Sequence, residues 1–392
     1  MSKELSIYVH TPFCERKCLY CDFLSFSAEK GQMELYFEAL GKEIQATSKE
    51  YEGYVVKSIF FGGGTPSFPA GKLICDTLEL IRENFEIGEN CEISIEANPA
   101  SAIFEKLVAY RRAGFNRLSI GAQSLNDAEL SKLGRLHDSR MLYETFEDAR
   151  LAGFENINVD VMSALPDQDL QSYMGSLRKV VELAPEHISA YSLIIEEGTP
   201  FYDMDLNLPD EEADRQMYHE TKKYLAERGY HRYEISNYAR SLGNSDGESV
   251  ADESDATYES IHNKVYWKRG NYLGLGLGAS SMVENVRWNN IRDIREYVET
   301  MDGGDLKQLR ENIEELSIES QMEEFMFLGL RLVKGVSTDD FKKLFGREIH
   351  EVYGEVIDKY LNSGHLVYDN GRLRLTEEGL DVSNTIMAEF LF

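Results

Sequence analysis

Three cysteines near the start of the chain, Cys14, Cys18 and Cys21, stand at C-x-x-x-C-x-x-C spacing. Thiolates are soft donors suited to iron–sulfur clusters or zinc. A structural zinc site wants four protein ligands in a closed tetrahedron, and only these three cysteines lie close together in the sequence. A cubane cluster held by three thiolates leaves one iron open, and an open iron can take a small chelating molecule. The spacing therefore favours a cluster. A zinc knuckle completed by a distant residue, or thiols in a core, are the alternatives. Cys75 and Cys91 fall among apolar residues and read as core thiols.

Other residues that could do chemistry sit beside strand-like runs. Tyr8 and His10 precede the first cysteine, and Gly62-Gly63-Gly64-Thr65-Pro66 follows the apolar run 56–61. Glycines at a strand end let the backbone turn sharply and approach a ligand. Glu96, Gln123 and Asp160 lie in or just after further apolar runs. Arg135, in Leu133-Gly134-Arg135, reads by itself as a surface arginine. Far along the chain comes His262-Asn263-Lys264-Val265-Tyr266-Trp267. It reads either as a surface turn with an amphipathic edge or as a haem site. In the second reading His262 ligates iron axially while Tyr266 and Trp267 pack on the porphyrin.

The elements that must position these residues follow from periodicity. Residues 5–12 alternate, with Leu5, Ile7 and Val9 on one face and Ser6, Tyr8 and His10 on the other. Further strands are predicted at 56–61, 91–96, 116–121, 157–161 and 187–194. Helical patterns occupy 32–50, 72–85, 102–113, 139–152 and 168–184. Six strands separated by helices predict parallel βαβ crossovers. Because the count stops short of eight, the expected fold is α/β, a partial, three-quarter (β/α)6 barrel. Ligands gather at the C-terminal ends of such strands, where Gly64, Glu96, Gln123 and Asp160 fall. A helix at 211–228 and a strand at 229–238 come next. Residues 240–257 are small, polar and acidic, with too little apolar surface to offset the entropy of ordering, and predict a mobile loop. The glycines in 273–281 do not match a nucleotide fingerprint; they let the backbone pass close to a ligand or the sheet. Helices at 321–331, 338–345 and 349–363 and a hairpin about Asp369-Asn370-Gly371 predict a winged-helix-like domain at 311–392, beside a barrel domain at 1–310.

Composition limits the partners. Lys plus Arg number 41 and Asp plus Glu 69, a net charge of −28. Such a balance repels nucleic acid and anionic lipid. The odd cysteine count of 5 is not a disulfide framework and fits a reducing, cytoplasmic compartment. No apolar run is long enough to span a membrane, and no signal peptide precedes the first predicted strand.

The run Tyr8-x-His10-x-Pro12-Phe13-Cys14, with its cysteine spacing, resembles the radical S-adenosylmethionine (SAM) superfamily, and within it the coproporphyrinogen dehydrogenase-like branch. The resemblance covers almost the whole chain except 240–257, where that family usually has a shorter connection. It implies a 4Fe–4S cluster on Cys14, Cys18 and Cys21, with SAM chelating the open iron through its amino and carboxylate groups. It carries SAM contacts onto Tyr8, Gly63, Gly64, Thr65, Glu96, Gln123, Arg135, Asp160 and Ile194. The hexapeptide beginning at His262 is similar to the His-Asn-x-x-Tyr-Trp signature of HemW-type haem chaperones in that branch. Haem, acceptor haemoproteins and an electron donor are then the implied partners, with a lid or docking role for the C-terminal domain. The competing reading is a coproporphyrinogen III dehydrogenase that decarboxylates propionates through a radical. Against it, Phe23 stands where those enzymes continue C-x-x-C-x-C, and Cys14 comes too early for their N-terminal arm. A generic iron–sulfur protein with another substrate is the third reading. Whether SAM is cleaved, whether the chain dimerises and whether it touches a membrane while delivering haem stay open at this stage.

Overall fold

The computed structural model describes residues 3–240 and 258–392. Apart from Arg240, the segment expected to form the acidic loop lies outside the described residues. Six strands run β1 (Lys3–Thr11), β2 (Tyr54–Gly63), β3 (Glu86–Ala97), β4 (Arg117–Gln123), β5 (Ile157–Ser163) and β6 (His187–Ser192). They pair in chain order and all in parallel. Helices Lys30–Thr47, Gly71–Asn84, Phe104–Ala113, Ser139–Leu151 and Leu170–Glu182 make the crossovers. The alternation decides which face meets them. Leu5, Ile7, Val9, Ile95, Leu118 and Val159 are buried in one continuous core with the apolar stripes of these helices. The opposite face is polar: Tyr8 and His10, Glu92 to Glu96 in steps of two, Arg117, Asn158, Asp160 and His187. A parallel strand that alternates this way has a lumen on its second face rather than a second helical layer.

The sheet continues on both sides. β7 (Tyr230–Arg232) and β8 (Asn237–Arg240) add antiparallel strands beyond β6. β9 (Tyr272–Leu275) pairs in parallel with β1, and β10 (Ser280–Val283), β11 (Val286–Asn290) and β12 (Arg310–Glu315) follow antiparallel. The order is β12-β11-β10-β9-β1-β2-β3-β4-β5-β6-β8-β7, so β12 and β7 are edges and the barrel stays partial. One expectation needs adjustment. The single strand at 229–238 is two strands with a turn between them. The glycine run lies within and beside β9, where a side chain on Gly274 would collide with the carbonyl of Ser280, so of the two expected neighbours, ligand or sheet, this glycine admits the sheet. β12, which begins at the boundary expected at 310, pairs with β11 in the large sheet; its sequence Arg-Glu-Asn-Ile-Glu-Glu is almost wholly exposed and carries no alternation to read.

A second core begins at helix Ile318–Gly329 and gathers Met326, Phe341, Ile357, Leu373 and Phe390. Helices Thr338–Phe345 and Ile349–Asn362 pack with a small sheet of β13 (Val336–Ser337), β14 (Leu366–Asp369) and β15 (Arg372–Leu375). Asn370 and Gly371 both take positive φ in the β14–β15 turn, as a tight hairpin requires.

Candidate cluster and cofactor site

The cysteine loop leaves the C-terminal end of β1 and is pinned by backbone bonds. The amide of Gly64 donates to Thr11 at 2.8 Å and that of Thr65 to Phe13 at 2.9 Å, while Phe26 donates to Pro12 and Cys14 to Phe26. The glycines have a packing reason. At Gly63, whose φ is +112°, a Cβ would lie 2.5 Å from the His10 ring, and at Gly64 it would lie 2.9 Å from the backbone of Thr11 and Phe13. The atoms that crowd these two glycines belong to the end of β1 and the start of the cysteine loop.

All three loop cysteines are free thiols, and each has a donor directed at its sulfur. Thr65 Oγ1 lies 3.3 Å from Cys14 Sγ, and Arg135 donates to Cys18 Sγ at 3.7 Å. The Phe23 amide faces Cys21. Burial pushes the Cys14 thiol up and the Cys21 thiol to about 11, and the hydrogen bonds of Thr65 and the Phe23 amide act against that rise. The desolvated thiols of Cys14 and Cys21, each with a polar partner at its sulfur, suit ligands that become thiolates only when a cation holds them. The donor set therefore fits a three-thiolate cluster. Among the described residues no three or more His, Cys, Asp or Glu side chains converge on a site the size of a single ion; thiolates that each bind a different iron of a cubane stand farther apart than that.

Beneath the loop, several of the expected residues share the lumen. Glu96 is pushed up to about 8 by burial and then by the nearby Asp160. Asp160 is raised by burial as well, and accepts from Asn158 Nδ2 at 2.7 Å. Gln123, with φ of 65°, ends β4 in the left-handed region and accepts from the Tyr191 hydroxyl at 3.1 Å. Arg135 is no surface residue. Besides Cys18 it reaches the carbonyl of Gly121 at 2.5 Å and Nδ1 of His137 at 3.3 Å. A side chain on Gly121 would crowd both Gln123 and Arg135. His10 Nε2 lies 2.9 Å from the Leu24 carbonyl, which can only accept, so Nδ1 takes the Tyr8 hydroxyl proton at 3.1 Å. Tyr8 thus keeps its lone pairs for a donor above it. Ile194, two residues past β6, is 70% exposed.

The His262 motif is neither a surface turn nor an open haem face. It is the helix Ile261–Trp267, and His262 is 2% exposed. Glu92, inside the barrel, accepts from the amides of Ile261 and His262 at 3.0 Å each and from Ser260 Oγ. A carboxylate at a helix N-terminus is stabilising, here with three bonds. Nδ1 of His262 meets Ser58 Oγ at 2.8 Å and Nε2 meets the Tyr266 hydroxyl at 2.9 Å. Its ring stacks on Phe60 at 5.1 Å. Burial, then the Arg117 charge, holds the imidazole down to about 3, so it is neutral. Both ring nitrogens are engaged in this conformation, in which the ring packs against Ser58 and Phe60 of β2.

Sequence reasoning did not single out Glu92, Arg117, Asn158 or Tyr191. Their signal was present as polar residues at every second position of strands otherwise fit for burial on both faces.

The sequence family described as the radical SAM superfamily matches residues 8–180, and the HemN C-terminal domain matches residues 316–382. A protein of Lactococcus lactis named heme chaperone HemW is 33% identical over 100% of this chain and 98% of its own length. The chain belongs to the HemW family of the radical SAM superfamily. A Bacillus subtilis heme chaperone HemW is 33% identical over 98% of this chain and 99% of its own length. The mouse protein named radical S-adenosyl methionine domain-containing protein 1, mitochondrial, is 31% identical over 100% of this chain and 88% of its own length. In fold, the chain matches the structure of coproporphyrinogen III oxidase (HemN) from Escherichia coli with a TM-score of 0.81. That match covers 99% of this chain and 90% of the other, at 22% identity. Membership of this family implies SAM and a 4Fe–4S cluster. Such a cluster, when bound, would supply an electron and a place for SAM to bind. Cys14, Cys18 and Cys21 would hold such a cluster, with the buried carboxylates of Glu96 and Asp160 in the lumen.

Proposed function

We propose that this chain is a haem chaperone, which binds haem and a SAM-ligated 4Fe–4S cluster and passes haem to acceptor haemoproteins. The observation that carries this reading is the full-length relationship, at 33% identity, to proteins named heme chaperones. Cys14, Cys18 and Cys21 are the cluster ligands in this proposal. Tyr8, Gly63, Gly64, Thr65, Glu96, Gln123, Arg135 and Asp160 line the SAM site, with Ile194 at its outer margin. His262 is the axial donor to haem, with Tyr266 and Trp267 as packing partners. It takes that role in a conformation where its bond to Tyr266 has opened. An electron donor serves the cluster. The chain acts in the cytoplasm; among the described residues no helix is long and apolar enough to cross a membrane. Its net charge of −28 argues against nucleic acid as a partner.

One observation favours a second reading, oxygen-independent coproporphyrinogen III dehydrogenase: the likeness in fold to HemN over nearly the whole chain. Phe23, 63% exposed on the cysteine loop, occupies the position that continues the cysteine motif in those enzymes. A single anaerobic preparation, reconstituted with iron and sulfide and offered both haem and coproporphyrinogen III, tests the choice. Haem binding without conversion to protoporphyrinogen IX is expected. Robust turnover of the porphyrinogen would restore the enzyme reading.

A further inference from the structure

The helix that carries His262 is held very differently at its two ends. Its N-terminus is fixed by the three hydrogen bonds to Glu92 inside the barrel. Its C-terminal end rests on the second core. The guanidinium of Arg331, just past helix Ile318–Gly329, lies 4.3 Å from the centroid of the Trp267 ring. Glu324, on that same helix, accepts from Arg269 Nε at 2.9 Å and also pairs with Arg287 of β11. Arg269 follows the His262 helix by two residues, so two side chains of the C-terminal domain grip its end.

The grip at Trp267 is incompletely satisfied. The indole Nε1 of Trp267, the Nε of Arg331 and Oε2 of Glu234 are all buried without a hydrogen-bond partner among the described residues. Glu234 Oε2 stands 3.8 Å from Arg331, a charge contact beyond hydrogen-bond range. Buried polar atoms left unbonded cost free energy that water would return on opening. The N-terminal end shows the opposite balance, with the Glu92 carboxylate accepting from both amides and the serine hydroxyl. The contact at Trp267 therefore carries less hydrogen bonding than the Glu92 end, and the buried Arg269–Glu324 pair is what fastens it beside the Arg331 contact.

We infer that Arg331 and Glu324 are positioning residues that hold the end of helix Ile261–Trp267 on the barrel floor, and that His262 becomes available to haem when this end lifts. The inference rests on the proposed role of His262 as haem donor and adds what controls its exposure. Lifting the C-terminal end draws the Tyr266 hydroxyl away from Nε2 and moves Trp267 off Arg331, while the Glu92 bonds keep the helix attached. The C-terminal domain is then coupled to haem uptake through Trp267 and Arg269 and needs no contact with haem itself.

The test uses the full chain with Arg331→Met, Arg331→Lys and Glu324→Gln, each checked for native circular dichroism. Backbone amide exchange of residues 262–267, measured without haem, reads the hold directly. Stopped-flow haem association, followed at the Soret band, reads the consequence. Loss of a cation over an aromatic ring predicts exchange and association faster by about two- to fivefold in Arg331→Met. Arg331→Lys, which keeps a cation there, should restore wild-type rates, and Glu324→Gln should act in the same direction as Arg331→Met. The added association in Arg331→Met should vanish when His262→Ala is combined with it. Unchanged exchange in Arg331→Met overturns the hold, whatever haem does. Faster exchange without faster haem association leaves the hold standing and overturns His262 as the haem donor.

Discussion

Nε2 of His262 lies 2.9 Å from the hydroxyl of Tyr266, one turn further along the same short helix. Ser58 donates to Ser6 at 2.8 Å, so its oxygen is left to accept from Nδ1–H of His262. The second nitrogen therefore accepts from Tyr266 and carries the lone pair that an iron would use. Removing the phenolic hydroxyl unmasks that lone pair. Tyr266→Phe should tighten haem binding by about two- to tenfold, the worth of one hydrogen bond. His262→Ala should weaken binding and shift the Soret band while leaving the cluster intact. Haem titrations of both variants check this; weaker binding in Tyr266→Phe would mean the phenol supports the haem rather than masking its ligand.

The cluster assignment is tested by cysteine. Cys14→Ser, Cys18→Ser and Cys21→Ser should each abolish the brown chromophore and its electron paramagnetic resonance signal after reconstitution, because a hard hydroxyl replaces a soft thiolate poorly. Cys91, 6% exposed in the main core, and Cys75, packed at the edge of that core, should be replaceable with the cluster retained. Loss of the cluster in Cys75→Ser as complete as in Cys18→Ser would overturn the three-cysteine set.

SAM binding should depend on pH through Glu96. Its carboxyl, held near 8 chiefly by burial, is mostly neutral at pH 7. A cationic ligand favours the ionised form, so binding expels the proton. Affinity should rise as the pH climbs towards 8, by up to about tenfold per unit for one proton, and level off above it. Calorimetry in buffers of different ionisation enthalpy measures the released proton. In Glu96→Gln this part of the slope should be missing; a profile identical to wild type would remove Glu96 from the site.

The glycine run can be tested against a glycine that carries no such constraint. Gly64→Ala puts a methyl against three backbone atoms at the end of β1 and the start of the cysteine loop, all at 2.9 Å. It should lower stability by about 1–3 kcal/mol and reduce cluster occupancy, since the loop backbone must shift. Gly175, within helix Leu170–Glu182, has nothing within 4 Å of an added Cβ. Gly175→Ala should stabilise by about 0.5–1 kcal/mol. Denaturant melts of the two variants should move in opposite directions.

By itself the sequence determined the parallel barrel strands, the cysteine loop and the set of polar strand ends beneath it. These are local matters. Period-two alternation fixes which face of β1 is buried, and the spacing of Cys14, Cys18 and Cys21 is a property of one loop. Family membership was likewise legible, because the Tyr8–Cys14 run and the His262 hexapeptide are contiguous. Tertiary structure alone decided what those residues touch. Arg135 read as a surface arginine because nothing near it in sequence needs a cation; its partners, Cys18 and Gly121, are 117 and 14 residues away. Gly63 and Gly64 are required by His10 and Phe13, some fifty residues earlier, which the parallel pairing of β1 with β2 brings against them. His262 changed most. Its residue type says that it can bind iron, but its partners Ser58, Glu92 and Phe60 belong to strands folded long before it in the chain. Whether a donor nitrogen is offered or already spent depends on contacts of high sequence separation, and the local pattern carries no record of them.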